Sequence, residues 1–400
     1  MRRPRPAVAR YYAFRIAGSA AFTLPIFVLF FQVRGLTLAE IGTIEAAYTV
    51  TVLLAETPTG YVGDRLGHRR TVAVGALLSA VGAAAFTLAH TFAAFLAVIV
   101  VRALAGALRS GAEDAWLYET LAATDDGGEF ARVSGRASAL GLATTAATAV
   151  LGGLLYATSH VLPWLVEAGA VTLSALALVG APDPPAESDR DDSPGLRDTL
   201  GATRDVLAAP AVAAFVLGTA GVFAAANTAH VLLQPAATDL AGIDPAALGW
   251  VYAALALAAA VAADRTGTVE SVLGIRGWFV AAPLALAALF AAAAALPLAA
   301  LVVLPFAASR VLTAVSGPLV AQYLNDRAET TGRATTLSVA SNVRALLTAP
   351  ANVGGGVLAA SAMTLALGGL AALLALSTLC LAAFALREFK YEPDTAEGVR

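Results

Sequence analysis

The 400-residue chain has one cysteine, Cys380, one lysine, Lys390, two methionines and four histidines. A lone thiol in an apolar stretch closes no internal disulfide, and no His/Cys spacing resembles that of a zinc or iron–sulfur site. No metal or cofactor is therefore expected. Charge is scarce as well: 13% of residues are Asp, Glu, Lys or Arg, against roughly 25% in a soluble domain. The length would allow two or three soluble domains, but 25 basic and 28 acidic side chains cannot clothe them. A water-soluble enzyme is excluded on that ground. The formal net charge of −3 gives no basic field for nucleic acid, so none is expected as a partner.

What the chain has in abundance is long apolar runs, with 58% hydrophobic residues and a mean hydropathy of +0.75. A hydrocarbon core of about 30 Å takes about 20 apolar residues per helix. Segments of that size, divided by turn or charge signals, predict Phe14–Val33, Ile41–Gly63, Thr71–Ala89, Phe92–Leu117, Ala137–Thr158 and Val161–Gly180 in the first half of the chain. Ala211–Leu233, Ala246–Ala263, Gly277–Leu296, Leu298–Leu324, Ala334–Ala360 and Met363–Leu386 follow in the second. Together they make twelve spans of an all-α polytopic membrane protein. The first run is longer than the apolar core of a secretory signal and reads as a retained helix.

Basic residues fix the expected orientation, because Lys and Arg stay on the cytoplasmic side. Arg102, Arg109, Arg310 and Arg344 fall in span interiors, and Arg34 is the one basic residue of an outer loop. The rest gather on the face that carries both termini, which are therefore expected in the cytoplasm of a cell whose plasma membrane the protein crosses. Trp116, Trp164, Trp250 and Trp278 lie near span ends, as interfacial anchors do. Arginine outnumbers lysine 24 to 1, which with the acidic linker suggests a GC-rich, salt-adapted prokaryotic source.

The longest polar stretch runs from Pro182 to about Ala209. Its proline and acid content disfavours a packed core, although Leu196 to Leu207 could form an amphipathic surface helix. The expected organisation is a six-helix bundle over 1–181, a cytoplasmic linker over 182–209, a second bundle over 210–388 and a tail over 389–400. The two halves echo each other. Gly63-Asp64-Arg65-Leu66-Gly67 reappears 200 positions on as Ala263-Asp264-Arg265-Thr266-Gly267. Ser134-Gly135-Arg136-Ala137 is matched by Thr331-Gly332-Arg333-Ala334. Internal repeats around a central site are a device of transporters.

The loop after the second span reads Gly60-Tyr61-Val62-Gly63-Asp64-Arg65-Leu66-Gly67-His68-Arg69-Arg70. It resembles the G-x-x-x-D-R-x-G-R-[RK] signature of the major facilitator superfamily, with His68 where a basic residue is usual. The resemblance implies two pseudo-symmetric six-helix bundles, alternating access and a gate in which Gly60, Gly63, Asp64, Arg65, Gly67, Arg69 and Arg70 close against the start of the eleventh span, near Thr330 to Ala334. Asp264, Arg265 and Gly267 are the second-half counterpart. Arg102-Ala103-Leu104-Ala105-Gly106 is similar to the family's fourth-helix motif. Of the fifth-helix antiporter pattern only Gly152-Gly153 survives, at the end of Thr148-Ala149-Val150-Leu151-Gly152-Gly153.

Charges inside spans cost at least about 2.5–3.5 kcal/mol and demand a partner or a wet cavity. Arg102, Arg109 and Glu113 fall on one face of a continuous fourth helix, with Gly106 between. Glu113 and Asp114 are candidate proton carriers, since desolvation raises a carboxylate pKa while an adjacent arginine lowers it. Glu113 could equally be neutralised by Arg109 at i,i+4. Glu56 is a third candidate, or a partner for the loop arginines. Glu167 reads as an isolated acid that snorkels outward. In the second half, Asn227, His230 and Gln234 form one polar stripe and Arg310 and Thr313 another, and Arg344 adds a charge on the eleventh span. The resemblance puts helices 1, 4, 7 and 10 around a central cavity. Arg102, Arg109, Asn227, His230, Arg310, Arg344 and Phe27 are the cavity candidates, Phe27 as part of an aromatic wall that also includes Phe22, Thr23 and Phe30. The Ala349 to Gly356 run, with Pro350 and three glycines, is expected to loosen its helix.

These readings converge on a monomeric transporter for a small molecule, working in the bilayer and coupled to protons. Efflux of a hydrophobic or amphipathic compound is the first expectation, and uptake or exchange of an organic anion the alternative. A membrane enzyme would need a catalytic cluster, for which Asp125-Asp126 is the nearest thing. A non-transporting receptor has no use for charges at membrane depth.

Overall fold

The computed structural model describes residues 6–123, 127–183, 201, 204, 208–296, 298–327 and 333–389. Among them there is no strand. The helices are α1 (Pro6–Gly18), α2 (Phe27–Val33), α3 (Leu38–Leu66), α4 (His68–Phe86), α5 (Phe92–Arg109), α6 (Ala112–Ala122), α7 (Phe130–Thr158) and α8 (Leu162–Ala177). After the linker come α9 (Pro210–Pro235), α10 (Leu248–Asp264), α11 (Thr266–Ala295), α12 (Ala299–Arg327), α13 (Arg333–Ser361) and α14 (Met363–Phe389). With α1 and α2 forming the first span and α5 and α6 the fourth, this is the twelve-span all-α fold. The surface helix expected over Leu196–Leu207 lies outside the described residues, apart from positions 201 and 204.

Nine helical stretches among the described residues are long and apolar enough to cross a membrane. The remaining three spans differ for visible reasons. The first is interrupted, the sixth is short at Leu162–Ala177, and the eleventh carries Asn342, Arg344 and Asn352 among its apolar residues.

Two spans break where the sequence removes helical support. Between α1 and α2, Pro25 has no backbone donor and disfavours helix at the residue before it. The donors freed there are captured by side chains: Ala21 N donates to Thr148 Oγ1 at 2.9 Å and Thr23 N to Glu167 Oε2 at 2.9 Å. Backbone polar groups at membrane depth need such internal partners. Between α5 and α6 the break is Ser110-Gly111, with Gly111 at φ +72°, a conformation that favours glycine. The continuous fourth helix of the sequence reading is thus two helices, and α6 begins with Glu113 and Asp114 in its first turn, where the dipole favours carboxylates.

The chain divides into two compact units. One comprises Met1–Leu36, Ala47–Ser193 and Ile243–Ala254, the other Thr37–Ala46, Pro194–Gly242 and Leu255–Arg400. In the first, α4 packs on α5 and α8, and α1 on α7 and α8. Its aromatic core joins Phe30, Phe31, Phe86, Phe95 and Trp164, with the Trp164 ring 4.7 Å from Phe86 and 5.0 Å from Phe30. A Cβ on Gly152 would collide with the Phe22 carbonyl, so this glycine permits a backbone contact between α7 and the break in the first span. In the second unit α9 packs on α13 and α14, and α11 on α12 and α14, around Phe215, Phe279, Tyr323 and Phe384. There α13 runs unbroken through Pro350, and its glycines serve close approach: Gly356 abuts Leu38 and Gly42, and Gly355 abuts Thr228.

Two of the four tryptophans depart from the expected interfacial role. Trp116 and Trp164 are buried, Trp116 donating to the Pro182 carbonyl at 3.0 Å and Trp164 sitting in the aromatic core, whereas Trp250 is exposed.

Candidate functional site

The break in the fourth span sets Arg109 at the end of α5 and Glu113 at the start of α6, and α1 brings Arg15 against both. Arg109 Nε donates to Glu113 Oε1 at 2.8 Å, and Arg15 Nη1 donates to the other carboxylate oxygen. The Glu113 side chain is 12% exposed. The Arg109 guanidinium also stands 5.7 Å from the Phe14 ring centroid. These groups border a cavity of about 390 Å³, whose lining includes Tyr11, Ser134, Ser138 and the exposed Asp114. Its size is at the lower end of the roughly 300–1,000 Å³ typical of small-molecule sites.

Arg102 does not share this cavity. Its Nη2 lies 3.4 Å from Glu167 Oε1, and its guanidinium stands 5.6 Å and 5.8 Å from the Phe86 and Trp164 ring centroids. Glu167, read from sequence as an outward-snorkelling acid, is 5% exposed. It accepts from Thr23 N at 2.9 Å and Thr23 Oγ1 at 2.6 Å as well. The one polar face drawn through Arg102, Arg109 and Glu113 therefore separates into two ion-pair sets on different partners. The aromatic wall separates likewise: Phe30 is fully buried in the core and Phe27 stands edge-on to Phe31 at 6.2 Å.

In the signature loop, Gly67 adopts φ +85° and turns the chain from α3 into α4. His68 Nδ1 is 2.8 Å from Glu119 Oε1, and its Nε2 is 3.6 Å from Asp64 Oδ1. Arg69 and Arg70 both reach Asp183 Oδ2, at 3.0 and 3.1 Å, and Arg69 also donates to the Leu178 carbonyl at 3.2 Å. The hydrogen bond from Arg69, more than any other influence, holds the Asp183 carboxyl below its ordinary pKa. Arg65 lies over the Tyr61 ring at 4.4 Å. Gly63 is buried, Gly60 and Glu56 are exposed, and the partner implied near Thr330 to Ala334 lies outside the described residues, apart from the backbone of 333 and 334. The second-half counterpart is built differently. Asp264 and Arg265 face each other at 3.8 Å, both largely exposed, and Gly267 has no positive φ.

In the second unit, Asn352 accepts from Thr228 Oγ1 at 2.8 Å and donates to Asn227 Oδ1 at 3.0 Å. Arg310 Nη2 is 2.8 Å from His230 Nδ1. A guanidinium only donates, so Nδ1 accepts and the ring proton sits on Nε2. Arg344 borders a smaller cavity of about 200 Å³. Among the described residues, no group of three or more His, Cys, Asp and Glu stands close enough to hold a metal ion.

Sequence reasoning missed Arg15, Glu119 and Asp183, and it singled out Glu167 and Thr23 without pairing them. For Glu167 the signal was present, since a lone acid on the sixth span requires a partner, and of the two arginines on the fourth only Arg109 has an acid four positions on. Arg15 lies one residue inside the first span and reads as a topology signal.

The sequence of residues 12–351 matches the Major Facilitator Superfamily profile. No curated protein matches the chain. Among solved structures, the nucleoside transporter NupG superposes with a TM-score of 0.76 at 14% identity, over 97% of this chain and 98% of its own. A bacterial homologue of the human lysosomal transporter Spinster, inward-facing and occupied, superposes at 0.71 and 14% identity, over 96% of this chain and 95% of its own. A POT family transporter in complex with a thioalcohol-conjugated peptide gives 0.71 at 11% identity, over 96% of each chain. At these identities the likeness is one of fold.

Proposed function

The chain belongs to the major facilitator superfamily, and from that premise we propose that this secondary transporter carries a small organic anion together with a proton held on Glu113. The observation that carries the reading is the single carboxylate bridging Arg15 and Arg109 in a polar cavity. With Glu113 ionised, the four charges of Arg15, Arg109, Glu113 and Asp114 cancel. Protonation of Glu113 releases two guanidiniums and leaves one positive charge in excess, which a monovalent anion neutralises. Anion and proton thus favour each other's binding, and loss of the proton restores the salt bridges and expels the anion. Arginine suits the role, because its planar donors match a carboxylate bidentately.

Proton-driven export of a hydrophobic compound, the first expectation from sequence, is less well served, because both cavities described above carry arginine. We take the protein to work as a monomer in the plasma membrane with both termini cytoplasmic, an orientation supported by its one-sided arginine distribution.

The test uses sealed proteoliposomes with an internal pH dye and anions too acidic to cross lipid as neutral acids, pyruvate and benzenesulfonate among them. Wild type is expected to acidify the lumen when a transported anion is added outside, and Glu113→Gln is not. Labelled anion crossing without proton movement, or proton exchange driven by hydrophobic cations, would overturn the proposal.

A further inference from the structure

Arg344 lies eleven residues into α13, about 16 Å along it at 1.5 Å per residue, so its charge stands well inside the eleventh span. No carboxylate lies within salt-bridge distance of it among the described residues, in contrast to Arg15, Arg102 and Arg109. Its contacts are a hydrogen bond from Nη2 to Ser341 Oγ at 3.3 Å and the ring of Phe223, whose centroid is 5.5 Å from the guanidinium. The side chain is exposed and borders the cavity of about 200 Å³ between α9, α12 and α13. Thr219 and Ser341 add hydroxyls to the lining, and Ala220, Val320, Leu324 and Leu337 add an apolar wall.

This arrangement suits one class of ligand. Phe223 restrains the guanidinium by a cation–π contact, and Ser341 takes one donor, leaving others for a carboxylate. The apolar wall beside the charge accepts a hydrocarbon body. The volume is below the roughly 300–1,000 Å³ of a drug-sized site, which restricts the body to a single small ring or a short chain. We infer that this cavity is a binding site for a small monocarboxylate with an apolar body, its carboxylate on Arg344 and its body against Leu324 and Leu337. The inference deepens the anion reading above and rests on it for transport of the ligand, though not for its binding.

The experiment is calorimetric titration of the full-length protein in lipid nanodiscs with benzoate and with benzamide, its uncharged counterpart of similar shape. Wild type is expected to bind benzoate saturably and benzamide far more weakly. Arg344→Gln should weaken benzoate about ten- to hundredfold, the loss expected of charge-assisted hydrogen bonds. Equal binding of benzoate and benzamide overturns the inference, and so does unchanged affinity in Arg344→Gln. Should Arg344→Gln fail to fold, Arg344→Lys and Phe223→Leu replace it: both should weaken benzoate, and unchanged affinity in both overturns the inference. Failure of the proton reading shows elsewhere, as absent proton movement in wild-type proteoliposomes, and leaves this binding result intact.

Discussion

Glu167→Gln is the substitution whose cost follows most directly from the packing in the first unit. The carboxylate is 5% exposed and accepts three hydrogen bonds, two from Thr23 and one from Arg102. An amide of the same shape keeps at most one acceptor oxygen, places an NH₂ group against one of those donors, and leaves the Arg102 charge beside the Phe86 and Trp164 rings with no counter-ion. Removing one partner of a buried pair costs about 3–5 kcal/mol. The Arg102 side chain is 28% exposed, which screens the loss and sets the expectation near the lower end, about 3 kcal/mol. For a unit of 150–250 residues this corresponds to a fall of about 6–12 °C in Tm, at 2–4 °C per kcal/mol. Thermal unfolding in nanodiscs, followed by tryptophan fluorescence, reads it. The double variant Arg102→Met with Glu167→Gln should recover part of the loss, because it removes the orphaned charge. A Glu167→Gln variant within about 2 °C of wild type, with no recovery in the double variant, would refute the reasoning and return Arg102 to the substrate-cavity candidates.

A Cβ at Gly152 meets the Phe22 carbonyl, so Gly152→Ala should cost about 1–3 kcal/mol, whereas Gly169→Ala, with open space beside it, should cost nothing; the same thermal assay compares them. Asp183→Asn removes the anchor of Arg69 and Arg70. Because the folded Asp183 carboxyl titrates below its ordinary value of 3.8, its contribution is present above that pH and lost as pH falls through the lower folded value. The gap in stability between wild type and Asp183→Asn should therefore be constant from pH 7 to about 5 and close below pH 3.8, and a gap that widens in acid would contradict it. His68 bridges Glu119 and Asp64, so His68→Ala should slow transport in proteoliposomes while His68→Arg, which keeps a donor to both acids, retains it.

Hydropathy, the arginine distribution and the loop from Gly60 to Arg70 made the twelve-span fold legible, because each span must meet the bilayer on its own and carries its signal locally. The breaks were written in the sequence too, as Pro25 and Ser110-Gly111, but uniform hydropathy across both masks them. Most of the site is non-local. Arg109 and Glu113 stand four positions apart and could be paired from spacing alone, whereas Arg15 joins Glu113 across 98 residues and Arg102 joins Glu167 across 65. Periodicity along one helix cannot assign partners on another, which is why Arg102 was grouped with the wrong acid and Glu167 was left without a partner. The repeat at Asp264 shows the converse limit. Its sequence echoes Asp64, yet Gly267 lacks the positive φ of Gly67, and the positive-φ glycine comes later, at Gly274 inside α11.

The central claim is that one proton and one anion enter the first-unit cavity together through Glu113. It is tested most directly by adding a transported anion to purified protein in weakly buffered solution and following protons with a pH dye. The account predicts uptake of up to one proton per anion bound by wild type, and none by Glu113→Gln. Anion binding that takes up no protons in wild type between pH 6 and 8, or proton uptake that persists in Glu113→Gln, would contradict it.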